Sequence, residues 1–406
     1  MIAILVLIAF LGLCGWIAYA AGPKFALKRL GGALLVLVLV TFAVSTMLQF
    51  TNGDESTKQA LEDLGVSRNS QPCVTALGTG ASVENVNACV EDRGLDENLF
   101  VQYGKWTKQL VIDRDLGLAF YKNGEKLSDT MKQRLPRTAW LFLYSQLIAL
   151  VLAVPLGIWS AYQAGRKGRG LPSWAMPAGV GLILLIGIFG GFRITTLFAI
   201  VVAAVALYSI FAGGRLADNN TNFLAFALLS IPVFVLGETF RYAFAVERNV
   251  YSLSGYQPWS SGAAEHFKSI WLPAIVLGLA ATPVYLRLLR ADMIQNLQQD
   301  FVSVAKAKGM SNTHILLRHV LRPSTVTLIT VLGLNIAQLV NGAIVVEFIY
   351  DLDGMGSYLI AAFARREFFA VQTIVAIVAA LFILTNTLID VLYTAVDPRV
   401  KADADS

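Results

Sequence analysis

The sequence predicts an all-α polytopic membrane protein, and three observations predict it. Hydrophobic residues make up 56% of the 406, against 15% charged. Soluble domains carry about 25% charged residues, because a folded surface must be wetted. Mean hydropathy is +0.62. The apolar residues also fall in runs of about 20, the length a helix needs to cross a bilayer. Together these exclude a cytosolic enzyme or a nucleic-acid binder as the default reading. The net charge of +5 is modest, and its distribution between loops tells more than its sum.

The runs can be marked by their breaks. Residues 1–21 form the first, stopped by Gly22-Pro23-Lys24. A second covers 30–50, and a polar stretch over 51–137 separates it from the rest. Further runs cover 138–161, 174–191, 194–213, 223–246, 270–289, 326–350 and 371–396. The pair around Gly190, Gly191 and Arg193 also reads as one re-entrant hairpin.

Orientation follows from the short loops. Lys24, Lys28 and Arg29 share a side with Arg166, Lys167, Arg169, Arg215, Arg290, Lys306, Lys308, Arg318, Arg322, Arg399 and Lys401. The opposite short loops hold only Arg193, Arg248, Lys268, Arg365 and Arg366. The richer side is expected to be cytoplasmic, with the C-terminus inside. The 51–137 segment is expected outside, since long loops translocate largely regardless of charge. Run 1–21 ends in Ala18-Tyr19-Ala20, which has the look of a cleavage site, but its positive charges follow it. It is read as an uncleaved helix with its N-terminus outside.

Cys14 lies in an apolar run and reads as a small buried hydrophobe. Cys73 and Cys89 share the polar segment, where no nearby His or third Cys completes a zinc set. Either a disulfide or two free thiols fits the residues alone; the external placement predicts the disulfide. Signatures of catalysis are missing: no phosphate loop, no H-E-x-x-H and no nucleophile elbow. His314 and His319 are five apart, which puts them on different faces of an α-helix, so a metal site is not expected. No cofactor is expected in this chain.

The informative stretch is cytoplasmic, over 299–323. Phe301, Val304, Ala305 and Lys308 recur at helical spacing, giving a short apolar face with a small residue in it. Gly309 then fits a left-handed helix cap. From spacing alone, a helix resting on anionic lipid is the default.

This stretch resembles the cytoplasmic coupling ("EAA") loop of ABC importer permeases, in the dipeptide/oligopeptide/nickel variant. Leu27-Lys28-Arg29-Leu30 is similar to the family's N-terminus. Val101-Gln102-Tyr103-Gly104-Lys105-Trp106 and Asp115-Leu116-Gly117 resemble its external loop, and Arg134-Leu135-Pro136-Arg137-Thr138 the start of its next helix. Leu229-Ser230-Ile231-Pro232, Val345-Val346-Glu347, Gly354-Met355-Gly356 and Asp397-Pro398-Arg399-Val400 extend the likeness over about 300 residues, in the family's order. Ser303 and Val304 stand where the loop's leading Glu and first Ala are usual, and Asp353 where the family often has Pro.

The resemblance implies a six-helix type I ABC importer permease core with about three additional transmembrane helices. The expected organisation is an additional helix over 1–21, a core helix over 27–50 and an extracytoplasmic domain over 51–137. A core helix over 138–161, an additional hairpin over 174–213 and core helices over 223–398 follow, with the coupling loop over 296–323. Implied partners are a second homologous permease, two cytoplasmic ATPases that bind ATP and Mg, and an extracytoplasmic solute-binding protein. The setting is a bacterial or archaeal inner membrane. Phe301, Val304, Ala305, Lys308 and Gly309 are the implied ATPase-coupling residues. Peptides are the first expectation for cargo; nickel or another small solute is the alternative, and an ATP-independent secondary transporter ranks behind both.

Two residue-level readings complete the picture. Asn335, Gln338, Asn341, Gly342 and Val345 fall within about a third of the helix circumference, so this face is expected to line the translocation route, with helix–helix hydrogen bonding as the alternative. Glu238 and Arg241 lie in an apolar run at i,i+3 and are expected to neutralise each other rather than to bind a coupling ion.

Overall fold

The structure is a computed structural model. It describes residues 23–50, 82–164 and 225–396, apart from 94, 114–115, 117, 120–124, 226–227, 253–254 and 366, together with 65, 70, 73 and 74. The predicted helices over 1–21, 174–191 and 194–213 lie outside the described residues.

In chain order the elements are α1 (Pro23–Phe50), α2 (Val83–Arg93), α3 (Leu99–Val111) and a two-residue ribbon, β1 (Leu118–Ala119) paired antiparallel with β2 (Glu125–Lys126). Then come α4 (Leu127–Ala164), α5 (Val233–Arg241), α6 (Ala263–Leu297), α7 (Asp300–Ala307) and α8 (Leu321–Ile349). The chain closes with α9 (Met355–Ala364) and α10 (Phe368–Val396). Two π-helical stretches interrupt the pattern, Tyr242–Glu247 after α5 and Ile315–Val320 before α8.

The chain divides into two compact units. One is Met1–Thr138 with Asp353–Ser406. Its buried cluster holds Leu127, Met131, Met355, Tyr358, Ala362 and Ile374. The other is Ala139–Leu352, whose cluster runs through Leu141, Ile270, Leu277, Tyr285 and Tyr350 to Val302 and Ile315. In the second unit α4 and α6 cross closely at Gly278, where a Cβ would come within 2.9 Å of both Ile148 Cγ2 and the Ser145 carbonyl oxygen.

Among the described residues, Leu127–Ala164, Ala263–Leu297, Asn312–Gly333 and Ala370–Thr387 are long and apolar enough to cross a membrane. Within α1 the stretch Gly31–Met47 is apolar, and Met355–Ala364 is a shorter apolar helix. Predicted and observed bounds differ where polar residues continue a helix. α4 starts at Leu127, not at 138, because Asp129, Lys132 and Arg134 extend it with a polar turn that an apolar run cannot reveal. α6 likewise begins at Ala263. The predicted single helix over 223–246 is broken at Ile231 and Pro232, and α5 starts only after them. Proline lacks the N–H of a continuing helix and disfavours the α conformation in the residue before it.

Candidate functional site

α7 is eight residues long and sorts its apolar side chains into two sets. Val302 (1% exposed) and Ala305 are buried and belong to the cluster that also holds Met293, Ile315, Leu316 and Val320. Phe301 (41%) and Val304 (54%) face outward. Met310 and Leu317 are exposed as well, so a bare apolar surface surrounds the helix. Ala305 therefore sits on the anchoring face, not beside Phe301 and Val304 on the outer one. Val302, missed in the sequence, is the residue that seats the helix.

The end of α7 is closed by backbone geometry. Lys308 is the cap, Gly309 has φ +77° and Met310 N–H reaches back to the Ala305 carbonyl at 3.2 Å. Gly309 N–H bonds the Lys306 carbonyl at 2.9 Å. That pair of bonds is a Schellman closure. Nothing lies within 4 Å of a Cβ built at Gly309, so its φ and not space is what demands glycine.

After α7, Ser311 caps the next turn by accepting His314 N–H. The following turn, Ile315–Val320, is π-helical and brings the His314 and His319 rings to 5.7 Å. This corrects the expectation that they occupy different faces. Five residues span about 140° beyond a full α-helical turn, whereas in a π-helix residues i and i+5 stack. Pro323 supplies a physical reason for the wide turn, since it has no N–H to offer the His319 carbonyl. Among the described residues no group of three metal-ligating side chains forms.

A polar network joins α6 to α8. Asp292, Asn296, Ser324 and Thr327 hydrogen-bond in series, with Asn296 Nδ2 2.9 Å from both Asp292 Oδ2 and Ser324 Oγ. Sequence reading missed it because its partners across the two helices lie 28 and 35 residues apart.

On α8, Asn335 is buried and in reach of Tyr285, whose hydroxyl donates to Gln146 Oε1 at 2.7 Å. Gly342 faces α6, where a Cβ would meet Leu277 Cδ1 at 2.9 Å. Val345 is half-buried. The side chains of Gln338 and Asn341 lie outside the described residues. Asn335 and Gly342 thus face protein, and helix–helix packing accounts for both. Glu238 and Arg241 form the ion pair their spacing predicts, with Arg241 Nη2 2.8 Å from Glu238 Oε2. Cys73 and Cys89 are joined by a disulfide, with their Cα atoms 6.0 Å apart.

The turn after α8 departs from the family pattern in a way the backbone explains. Asp353 has φ +52°, a left-handed conformation closed to proline, whose ring fixes φ near −65°. Arg137 Nη1 lies 2.9 Å from Asp353 Oδ2, and buried Arg134 pairs with Oδ1 while lying 4.7 Å over the Tyr358 ring. Asp353 is held from two sides.

A family model described as binding-protein-dependent transport system inner membrane component matches residues 196–402, a little over half of the chain. The chain belongs to this family. It is a multi-pass membrane protein with the type I ABC permease core, and a permease subunit. The relatives below match 77–93% of the chain. A putative peptide transport system permease protein of Brucella abortus is 28% identical over 93% of this chain and 98% of its own length. Oligopeptide transport system permease protein AppB of Bacillus subtilis is 26% identical over 77% and 84%. Glutathione transport system permease protein GsiC of Escherichia coli is 24% identical over 93% and 99%.

Proposed function

We propose that this permease subunit forms, with a second homologous permease, the route by which peptides handed over by a solute-binding protein cross a bacterial or archaeal inner membrane. The long 51–137 segment faces outside and the C-terminus inside. ATP and Mg are bound by two ATPase subunits in the cytoplasm, and none of that chemistry resides in this chain. The observation that carries the reading is the split of α7: Val302 and Ala305 anchor it, while Phe301 and Val304 stand bare for a groove on the ATPase. Burying these two side chains contributes about 1.5–3 kcal/mol each at most. Nucleotide-driven movement then biases the membrane helices through contacts that differ between two states.

Peptide cargo is supported by the names of the relatives, which favour it over nickel or another small solute. Membership in a binding-protein-dependent family speaks against an ATP-independent transporter. The test is uptake by the reconstituted complex with its binding protein, with the bound ligand identified by mass spectrometry. Peptides should be recovered and should enter vesicles only when ATP is supplied. Recovery of a metal chelate, or uptake that survives inactive ATPases, would overturn the reading.

A further inference from the structure

α3 is amphipathic in an unusual setting. Advancing 100° per residue, Leu99, Phe100, Tyr103, Trp106, Leu110 and Val111 fall within about 140° of arc, while Gln102, Lys105, Lys108 and Gln109 share the opposite side. Its start is fixed by Asn98, whose Oδ1 accepts Val101 N–H at 3.0 Å. Two groups of its polar face are bound by its own chain. Gln102 Nε2 donates to the Leu95 and Glu97 carbonyls, and Lys105 Nζ to the Glu91 carbonyl at 3.1 Å.

The apolar face is joined to α1. Thr41 is buried and gives its proton to the Leu37 carbonyl, so the Tyr103 hydroxyl, 2.7 Å away, donates to Thr41 Oγ1. Phe42 stacks on Phe100 at 5.5 Å and meets Tyr103 edge-on at 5.4 Å. Thr41 lies in the C-terminal half of α1, so these contacts fasten α3 along the side of that apolar helix.

Yet Phe100 is 73% exposed, and Val111 is exposed too. On α1, Leu34, Leu35, Val38 and Leu39 are bare in the same way, as suits a helix solvated by lipid. The exposed surface of α3 continues that of α1 through the Phe42–Phe100 stack. Tyr103 and Trp106, in ring contact at 5.7 Å, are residue types that favour the membrane boundary.

We propose that α3 is a lipid-interface helix. It lies in the leaflet beside the C-terminal half of α1, with Phe100 and Val111 among acyl chains and Lys108 reaching the headgroups. The occupant of this face is phospholipid, and the proposal is independent of what the transporter carries.

Spin labels placed singly at 100, 108 and 111 test it, with one at 39 on α1 as the lipid reference. The protein is the full chain in its complex, with Cys14→Ser and the disulfide kept, in vesicles of phosphatidylethanolamine and phosphatidylglycerol. Labels at 100 and 111 should collide with oxygen as readily as the one at 39 and be shielded from an aqueous nickel chelate. The label at 108 should show the reverse. Equal exposure of 100 and 111 to the nickel chelate would place the face in water. Immobilised labels shielded from both reagents would place it against a partner protein. Either result overturns the assignment.

Discussion

Thr327 on α8 donates its hydroxyl to Asp292 Oδ1 on α6 at 3.1 Å. The second carboxylate oxygen accepts from Asn296, which also reaches Ser324. One half-buried acid therefore holds two membrane helices together. Asp292→Ala should strip both donors of their acceptor and cost about 1.5–3 kcal/mol, the range for hydrogen bonds to charged groups. Asp292→Asn, which keeps one carbonyl oxygen, should lose less. Thermal unfolding of the purified chain in detergent reads the difference. Equal melting temperatures for wild type and Asp292→Ala would show that the network is dispensable.

At the end of α7, Gly309→Ala should destabilise the closure by about 1 kcal/mol, because φ +77° is penalised for any residue with a Cβ. Gly309→Val should cost more through its branching. On the proposed function, both Gly309→Val and Phe301→Ala leave membrane insertion intact and uncouple transport: uptake and substrate-stimulated ATP hydrolysis fall together. Assaying both activities in vesicles, with a check that the ATPases remain bound, decides it. Normal uptake in both variants would return α7 to a helix resting on lipid.

Asp353 offers a case where the family's usual residue should harm this chain. Asp353→Pro cannot adopt φ +52° and should lower the melting temperature clearly. Asp353→Asn keeps a residue type that tolerates the left-handed region and should be milder, losing the ion pairs to Arg134 and Arg137. If proline were tolerated as well as asparagine, the left-handed turn would not be what fixes this position.

Glu367 lies buried between α9 and α10. Burial holds its carboxyl above the usual carboxylate range, while nearby Arg365 and a hydrogen bond from Tyr358 act in the opposite direction. The folded chain thus keeps this proton more tightly than the unfolded one. The group's contribution to stability is full below the ordinary carboxylate value and falls as pH rises through the raised one. Glu367→Gln should remove that slope and melt higher than wild type near neutral pH. A melting profile over roughly pH 4–7 checks the sign against the ordinary Glu value. An unchanged slope would mean that Glu367 is not the titrating group.

The spanning helices were legible because lipid demands long apolar runs, and α4, α6, α8 and α10 fall where such runs lie. The polar first turns of α4 and α6 were not, since nothing apolar marks them. α9, at ten residues, is too short to read as a span. Spacing along α7 located its apolar positions but not their assignment: Val302 and Val304 are the same residue type on nearly opposite faces, and only packing against Ile315 and Val320 chooses between them. The π turn was invisible to a reading at 3.6 residues per turn, although Pro323 was its one available signal. α3 had a readable start in Asn98, ahead of an apolar periodicity.

The wide turn at Ile315–Val320 has a consequence for how motion passes along this chain. Each of its hydrogen-bonded rings holds one residue more than the α turn that follows it. Should it tighten to α geometry, everything before it would be re-phased against α8 by about one residue, or roughly 100° of rotation with a rise of about 1.5 Å. Phe301 and Val304 lie upstream of that turn and the membrane helix lies downstream. A change of bonding partner within a single turn, with no helix unfolding, would swing the bare face of α7 like the bit of a key.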